Sequence, residues 1–120
     1  MTRHQAEIHL KKLFGFDHFF DLQWQVIEHV LAGRRVLFIE KTGFGKSLCY
    51  QFPATQLPGV TIVFTPLIAL MRDQVRSMHE KGIRAAAINS NQEREENDQI
   101  IAKARQNELD ILYIAPERME

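Results

Sequence analysis

A single cysteine, Cys49, is the whole thiol content of the chain. One thiol forms neither an internal disulfide framework nor a thiolate metal cage, so a reducing compartment is the expected setting. Net charge is missing too: 15 Lys+Arg balance 15 Asp+Glu. A zero balance exerts no global pull toward nucleic acid or membrane, although it leaves room for a local basic groove. No apolar run approaches membrane-spanning length, so no membrane partner is expected. The opening MTRHQAEIHLKK is too polar for a secretory signal, which points to an intracellular protein. There is no internal repeat and no low-complexity linker. His4, His9, His18, His29 and His79 are scattered without metal-ligand spacing. What remains is 120 residues with 45% hydrophobic content, enough for one compact domain or part of a larger one.

The first 33 residues read as a helical lead-in. Thr2 and Gln5 have the spacing of a capping box. The helix they open carries Ile8, Leu10, Leu13 and Phe14 at roughly helical spacing and stops near Gly15. A second helix is expected after Asp21, burying Trp24, Ile27, Val30 and Leu31 and ending at Gly33. From residue 34 onward strands and helices alternate. Short apolar strands are expected at Val36–Ile39, Val60–Thr65, Ala85–Ile88 and Asp110–Ala115. Helices are expected after Gly45, over Ile68–Lys81 with Gly82 as cap, and from a Ser90-x-x-Glu93 capping box to about Asn107. Apolar strands joined by helices predict an α/β fold with a parallel sheet flanked by helices. Ligands in such folds bind beyond the carboxyl ends of the strands. The turns after Ile39, at Thr65–Pro66 and at Pro116–Arg118 all fall there.

The stretch Thr42-Gly43-Phe44-Gly45-Lys46-Ser47 joins the first of these strands to a helix-forming run. Gly43 and Gly45 permit backbone angles that turn successive amides toward one point, and the helix adds its N-terminal dipole. In such a cradle Lys46 reaches the β- and γ-phosphates and the Ser47 hydroxyl sits on magnesium. The strict Gly-x-x-x-x-Gly-Lys-Ser/Thr pattern fails at its first position, which is Glu40. The plain alternative is a glycine-rich turn with a surface lysine.

Taken together, the edge loops resemble the RecQ-type DNA helicases of superfamily 2. TGFGKSLCYQFPA (42–54) resembles that family's nucleotide loop and following helix. TPLIALMRDQV (65–75) resembles its motif Ia, and YIAPERM (113–119) its Tyr-x-x-Pro-Glu-Arg block. FGFDHFFDLQWQVI (14–27) resembles motif 0, which touches the adenine. The resemblance implies a P-loop (RecA-like) ATP-binding domain, incomplete here, and a 3′-to-5′ motor acting on single-stranded or partly duplex DNA in repair and recombination. It implies ATP and Mg2+ as cofactors and a bacterial cytoplasm or eukaryotic nucleus as location. By the same resemblance Thr42, Gly43, Phe44, Gly45, Lys46 and Ser47 hold the triphosphate, with Lys46 as the catalytic lysine and Ser47 on the metal. Gln23 reads the adenine edge and Phe16 stacks on the base; packing and helix surface are the ordinary alternatives for both. Thr65, Pro66, Leu67 and Arg118 line the DNA path, with a fold-stabilising ion pair the even alternative for Arg118. Arg72 and Arg76 could add charge beside that path, although such residues on an amphipathic helix are more often just its solvated face, and Cys49 reads as a small packed hydrophobe.

Three places depart from the family pattern. Phe20 stands where an arginine is usual, Glu40–Lys41 replaces Met-Pro, and Phe44 replaces a small residue. The chain also ends soon after Pro-Glu-Arg, without an Asp-Glu-x-His box or a second motor domain. Phosphoryl transfer needs metal placement, water orientation and charge neutralisation together. The expectation is therefore a fragment unable to unwind DNA alone, weakly stable because a sheet edge is left bare. Two other functions remain open: a non-catalytic nucleotide- or DNA-binding module, and a P-loop enzyme that does not act on nucleic acid.

Overall fold

The computed structural model of the chain describes residues 1–33, 47–65 and 68–115. The strand expected at Val36–Ile39 and the glycine turn lie outside the described residues. The chain divides into two compact units, Met1–Leu57 and Pro58–Glu120.

The first unit contains α1 (Arg3–Phe14), α2 (Asp21–Leu31) and α3 (Leu48–Gln56). The capping box of α1 forms as the sequence predicts. The Gln5 N–H donates to Thr2 Oγ1 at 3.2 Å, and the Thr2 N–H donates to Gln5 Oε1 at 2.9 Å. Gly15 ends the helix at φ 80°, a left-handed angle that a side chain would disfavour. The buried face of α1 differs from the expected one. Ala6 and Leu10, four residues apart, are buried, whereas Ile8 is exposed. At about 100° per residue, Ile8 lies roughly 200° around the helix from Ala6 and turns to solvent. The unit's core joins Ala6, Leu10, Phe19, Trp24, Ile27, Leu48 and Phe52, with Phe14 and Leu31 packed against it. Phe19 meets Phe52 edge-on at 5.1 Å and Trp24 at 5.8 Å, both favourable aromatic geometries.

The second unit contains β1 (Thr61–Phe64), α4 (Ile68–Glu80), β2 (Ala85–Ile88), α5 (Arg94–Arg105) and β3 (Ile111–Ile114). Its strands form a parallel sheet in the order β1-β3-β2, so β3 sits centrally although it comes last. Thr61, Ile111 and Ala85 share one level, and Phe64, Ile114 and Ile88 another. Side chains alternate between faces along a strand, so Leu112, Ile114, Ala86 and Ile88 share a face. Ile100, Ile101 and Ala104 of α5 pack with this set. Ile62 and Phe64 belong to the same face at β1 and stay 49% and 55% exposed. Ile111 and Tyr113, on the other face, are fully buried.

Helix α5 starts later than expected. Its N-cap is Glu93, and no side chain caps it. The box from Ser90 is replaced by an amide turn: the Asn91 N–H donates to Asn89 Oδ1 at 2.9 Å, and Gln92 Nε2 donates to the Ala87 carbonyl at 2.9 Å. Buried Asn97 completes it, accepting from Gln92 Nε2 at 2.8 Å and donating to the Asn89 carbonyl at 3.2 Å.

At the opposite, amino edge of the sheet, Asp110 ties β2 to β3. Its Oδ2 accepts the Arg84 backbone N–H at 3.0 Å and its Oδ1 accepts Arg84 Nη2 at 2.8 Å. Arg84 and, less so, its own backbone N–H hold the Asp110 carboxyl below its ordinary pKa against the opposing effect of burial. The clamp therefore contributes fully above the unfolded-state pKa and fades as pH falls through the lower folded value. Asp110→Ala is expected to cost about 1 kcal/mol at pH 7, discounted for solvent screening, and to flatten the acid limb of stability. Urea denaturation at pH 7 and pH 3 checks this: a variant equally destabilised at both would contradict it.

No helix among the described residues is long and apolar enough to cross a membrane.

Candidate functional site

In the first unit the loop between α1 and α2 carries the motif 0 aromatics. Phe16 and Phe20 are both 56% exposed, whereas Phe19 is buried in the core. The aromatic run is thus split by burial: one ring anchors the loop and two face outward. The anchor is reinforced through its backbone. Glu7 Oε2 accepts the Phe19 N–H at 2.9 Å, and Arg3 Nη2 donates to the Phe19 carbonyl at 2.6 Å. Arg3 Nη1 also donates to Asp21 Oδ1 at 2.8 Å, and Arg3 Nε reaches Glu7 Oε2 at 3.4 Å. The Phe19 N–H, followed by His18 and Arg3, holds the Glu7 carboxyl below its ordinary pKa despite the opposing effect of burial. Asp17 is lowered as well, by Lys11 at 2.9 Å.

Gln23 lies on the first turn of α2 and is buried. Its Oε1 accepts the Phe20 N–H at 2.8 Å. A backbone N–H demands the amide oxygen, so the side-chain orientation is fixed and Nε2 is turned the other way. The Phe20 side chain offers no acceptor in return, so only half of a capping box exists at this helix start.

Ser47 is the N-cap of α3, with φ −61° and ψ −30°. Its carbonyl accepts the Gln51 N–H at 3.0 Å, while its hydroxyl makes no capping bond. Serine at such a position ordinarily caps with its hydroxyl. Cys49 and Phe52, on the helix that follows, are buried.

In the second unit Thr65 follows β1 directly, and its N–H donates to the Ile114 carbonyl at 3.0 Å. On the other side of β3, the Ala115 N–H donates to the Ile88 carbonyl at 3.1 Å. Thr65, Ala115 and Asn89 therefore leave the sheet side by side at its carboxyl edge. Two of these departures were expected from the sequence. The third, the Asn89–Gln92 turn, was missed because its Ser-x-x-Glu spacing suggested a helix start; the cluster of amides after an apolar strand was the available signal. Arg72 and Arg76 are exposed on α4. Of the predicted site residues, Thr42, Gly43, Phe44, Gly45, Lys46, Pro66, Leu67 and Arg118 lie outside the described residues.

The family description DEAD/DEAH box helicase matches residues 20–120. The chain belongs to the DEAD/DEAH box helicase family. Within that family it is of RecQ type. It is 40% identical over 117 residues to the ATP-dependent DNA helicase RecQ of Synechocystis sp., covering 98% of this chain and 24% of that protein. It is 43% identical over 110 residues to the RecQ helicase of Haemophilus influenzae, covering 92% of this chain and 18% of that protein. It is 37% identical over 108 residues to the ATP-dependent helicase wrn-1 of Caenorhabditis elegans, covering 90% of this chain and 10% of that protein. The chain thus spans a quarter or less of the length of these relatives. The parallel α/β sheet agrees with the N-terminal motor fold expected of a DEAD/DEAH helicase. Against the RecQ pattern, the arginine usual at position 20 is absent, and the guanidinium that reaches this loop comes from Arg3 instead.

Proposed function

We propose that the chain is the nucleotide- and single-stranded-DNA-binding part of a RecQ-type, ATP-dependent, 3′-to-5′ DNA helicase. The observation that carries this is identity of 40% to a RecQ helicase along 98% of the chain. Residues 1–33 form the adenine-side lead-in and residues 34–120 the motor portion. Thr42–Ser47 hold the triphosphate, Lys46 neutralises its charge as phosphoryl transfer proceeds, and Ser47 ligates Mg2+. A hydroxyl not spent on capping α3 suits that ligand role. Bound magnesium supplies charge neutralisation between phosphates. Gln23 reads the adenine edge and exposed Phe16 stacks on the base. Thr65, Pro66, Leu67 and Arg118 position the DNA backbone. Contacts of this kind fix a strand without reading its sequence. The protein works inside the cell, where DNA and ATP are.

Two residues favour a second reading, a non-catalytic nucleotide- or DNA-binding module: Phe20, in place of the usual arginine, and Glu40, at the first position of the phosphate-loop pattern. Anisotropy of a labelled single-stranded oligonucleotide at low salt tests the DNA assignment. Binding is expected to weaken as salt rises. Thr65→Ala is expected to weaken it about fivefold, the equivalent of one net hydrogen bond. No binding at low salt, or binding indifferent to salt, would remove DNA from the proposal.

A further inference from the structure

We propose that helix α1 is the positioning element for base selection, with Arg3 and Glu7 clamping Phe19 so that Gln23 and Phe16 meet the adenine correctly. The inference rests on the adenine role proposed for Gln23. It adds two residues that no motif contains, from a helix that otherwise reads as a lead-in.

The clamp is closed on both sides of one residue. Glu7 takes the Phe19 N–H and Arg3 takes the Phe19 carbonyl, at 2.9 and 2.6 Å. The next N–H along, Phe20, goes to Gln23 Oε1, and the Phe20 carbonyl accepts the Trp24 N–H at 3.0 Å. Four consecutive backbone groups are therefore tied, two to α1 and two to α2. Arg3 adds a third anchor at Asp21, the first residue of α2. The Phe20 N–H bond that orients the Gln23 amide thus comes from a segment whose position α1 sets. Beneath it, the Phe19 ring is locked between Trp24 and Phe52. Glu7 is the pivotal member: one carboxylate oxygen serves both the Phe19 N–H and Arg3 Nε. Losing it frees the loop without touching any group that meets nucleotide.

Base selection is separable from phosphate binding, since ATP and GTP carry the same triphosphate. Dissociation constants of MgATP and MgGTP are measured by calorimetry on the chain and on Glu7→Ala, Glu7→Gln, Arg3→Ala and Gln23→Ala. The ATP-over-GTP preference is expected to fall about fivefold in Glu7→Ala and Arg3→Ala, as loss of one well-placed base contact would dictate, with MgGTP binding held. Glu7→Gln keeps an oxygen acceptor for the Phe19 N–H and is expected to restore most of the preference. Equal weakening of both nucleotides in Glu7→Ala and Arg3→Ala would show a merely structural helix and overturn the inference. So would an unchanged preference in those two variants while Gln23→Ala loses it. An unchanged preference in Gln23→Ala would instead overturn the adenine assignment itself. Should Glu7→Ala lose its helical circular dichroism, Arg3→Ala, altered at the more exposed partner, carries the same comparison.

Discussion

Replacing Phe52 by alanine is expected to destabilise the Met1–Leu57 unit by about 3–5 kcal/mol, the usual cost of emptying a buried aromatic site. Phe52 is fully buried and touches both Phe14 and Phe19, so its ring joins α3 to α1 and to the loop between α1 and α2. Three elements lose their shared contact at once. A loss of that size is comparable with the whole stability of an ordinary small domain, about 5–15 kcal/mol. Phe52→Ala should therefore be partly unfolded in buffer. Phe52→Leu, which retains most of the volume, should remain folded with a lower urea midpoint. The measurement is direct because Trp24, the sole tryptophan, packs against Phe19, which packs on Phe52. Trp24 fluorescence against urea gives the midpoint. A Phe52→Ala curve that overlays the wild type would show that this core does not hold the unit together.

Lys46→Ala carries the second large effect, on ligand affinity. The proposed role of Lys46 is a charge-assisted contact to the β- and γ-phosphates, worth about 1.5–3 kcal/mol. MgATP binding by calorimetry should therefore weaken roughly 10- to 100-fold. The urea midpoint of the variant without nucleotide should not move, since the proposed role of Lys46 is a ligand contact. Ser47→Ala should show a smaller loss that disappears when magnesium is chelated, because its partner is the metal. Equal MgATP affinity in the wild type and Lys46→Ala would leave the glycine turn as an ordinary strand–helix connection.

Much of the fold was legible because local signals coincide with tertiary demands. The Thr2–Gln5 box, Gly15 and Gly82 mark helix ends through backbone chemistry that needs no distant partner, and all three act where expected. The strand segments at 60–65, 85–88 and 110–115 were found for a similar reason: short apolar runs between helices have few other uses. Their order was not legible. β3 enters between β1 and β2, and only long-range pairing decides that. Ile8 was misplaced because an apolar side chain two residues from the buried stripe looks like part of it. The helix start at Ser90 failed because Asn89, Gln92 and Asn97 satisfy one another through a fold-dependent network that competes with capping. At the site, motif 0 was visible as residues, but its support was not. The Arg3 and Glu7 contacts join positions 12 to 18 residues apart, a separation at which spacing carries no signal. Phe19, Phe20 and Phe16 look alike in sequence, and burial alone divides anchor from outward-facing rings.

The backbone amides of Gly43, Gly45, Lys46 and Ser47 test the motor assignment most directly. In an 15N-resolved NMR titration of the chain with MgATP, these amides should move together and saturate with a single dissociation constant. The Gln23 side-chain amide should follow the same curve. In Lys46→Ala the movements should require at least about tenfold more nucleotide. If the four amides stay still at saturating MgATP, or move no more than amides across the rest of the chain, no phosphate is held there and the chain is not the ATP-binding part of a motor.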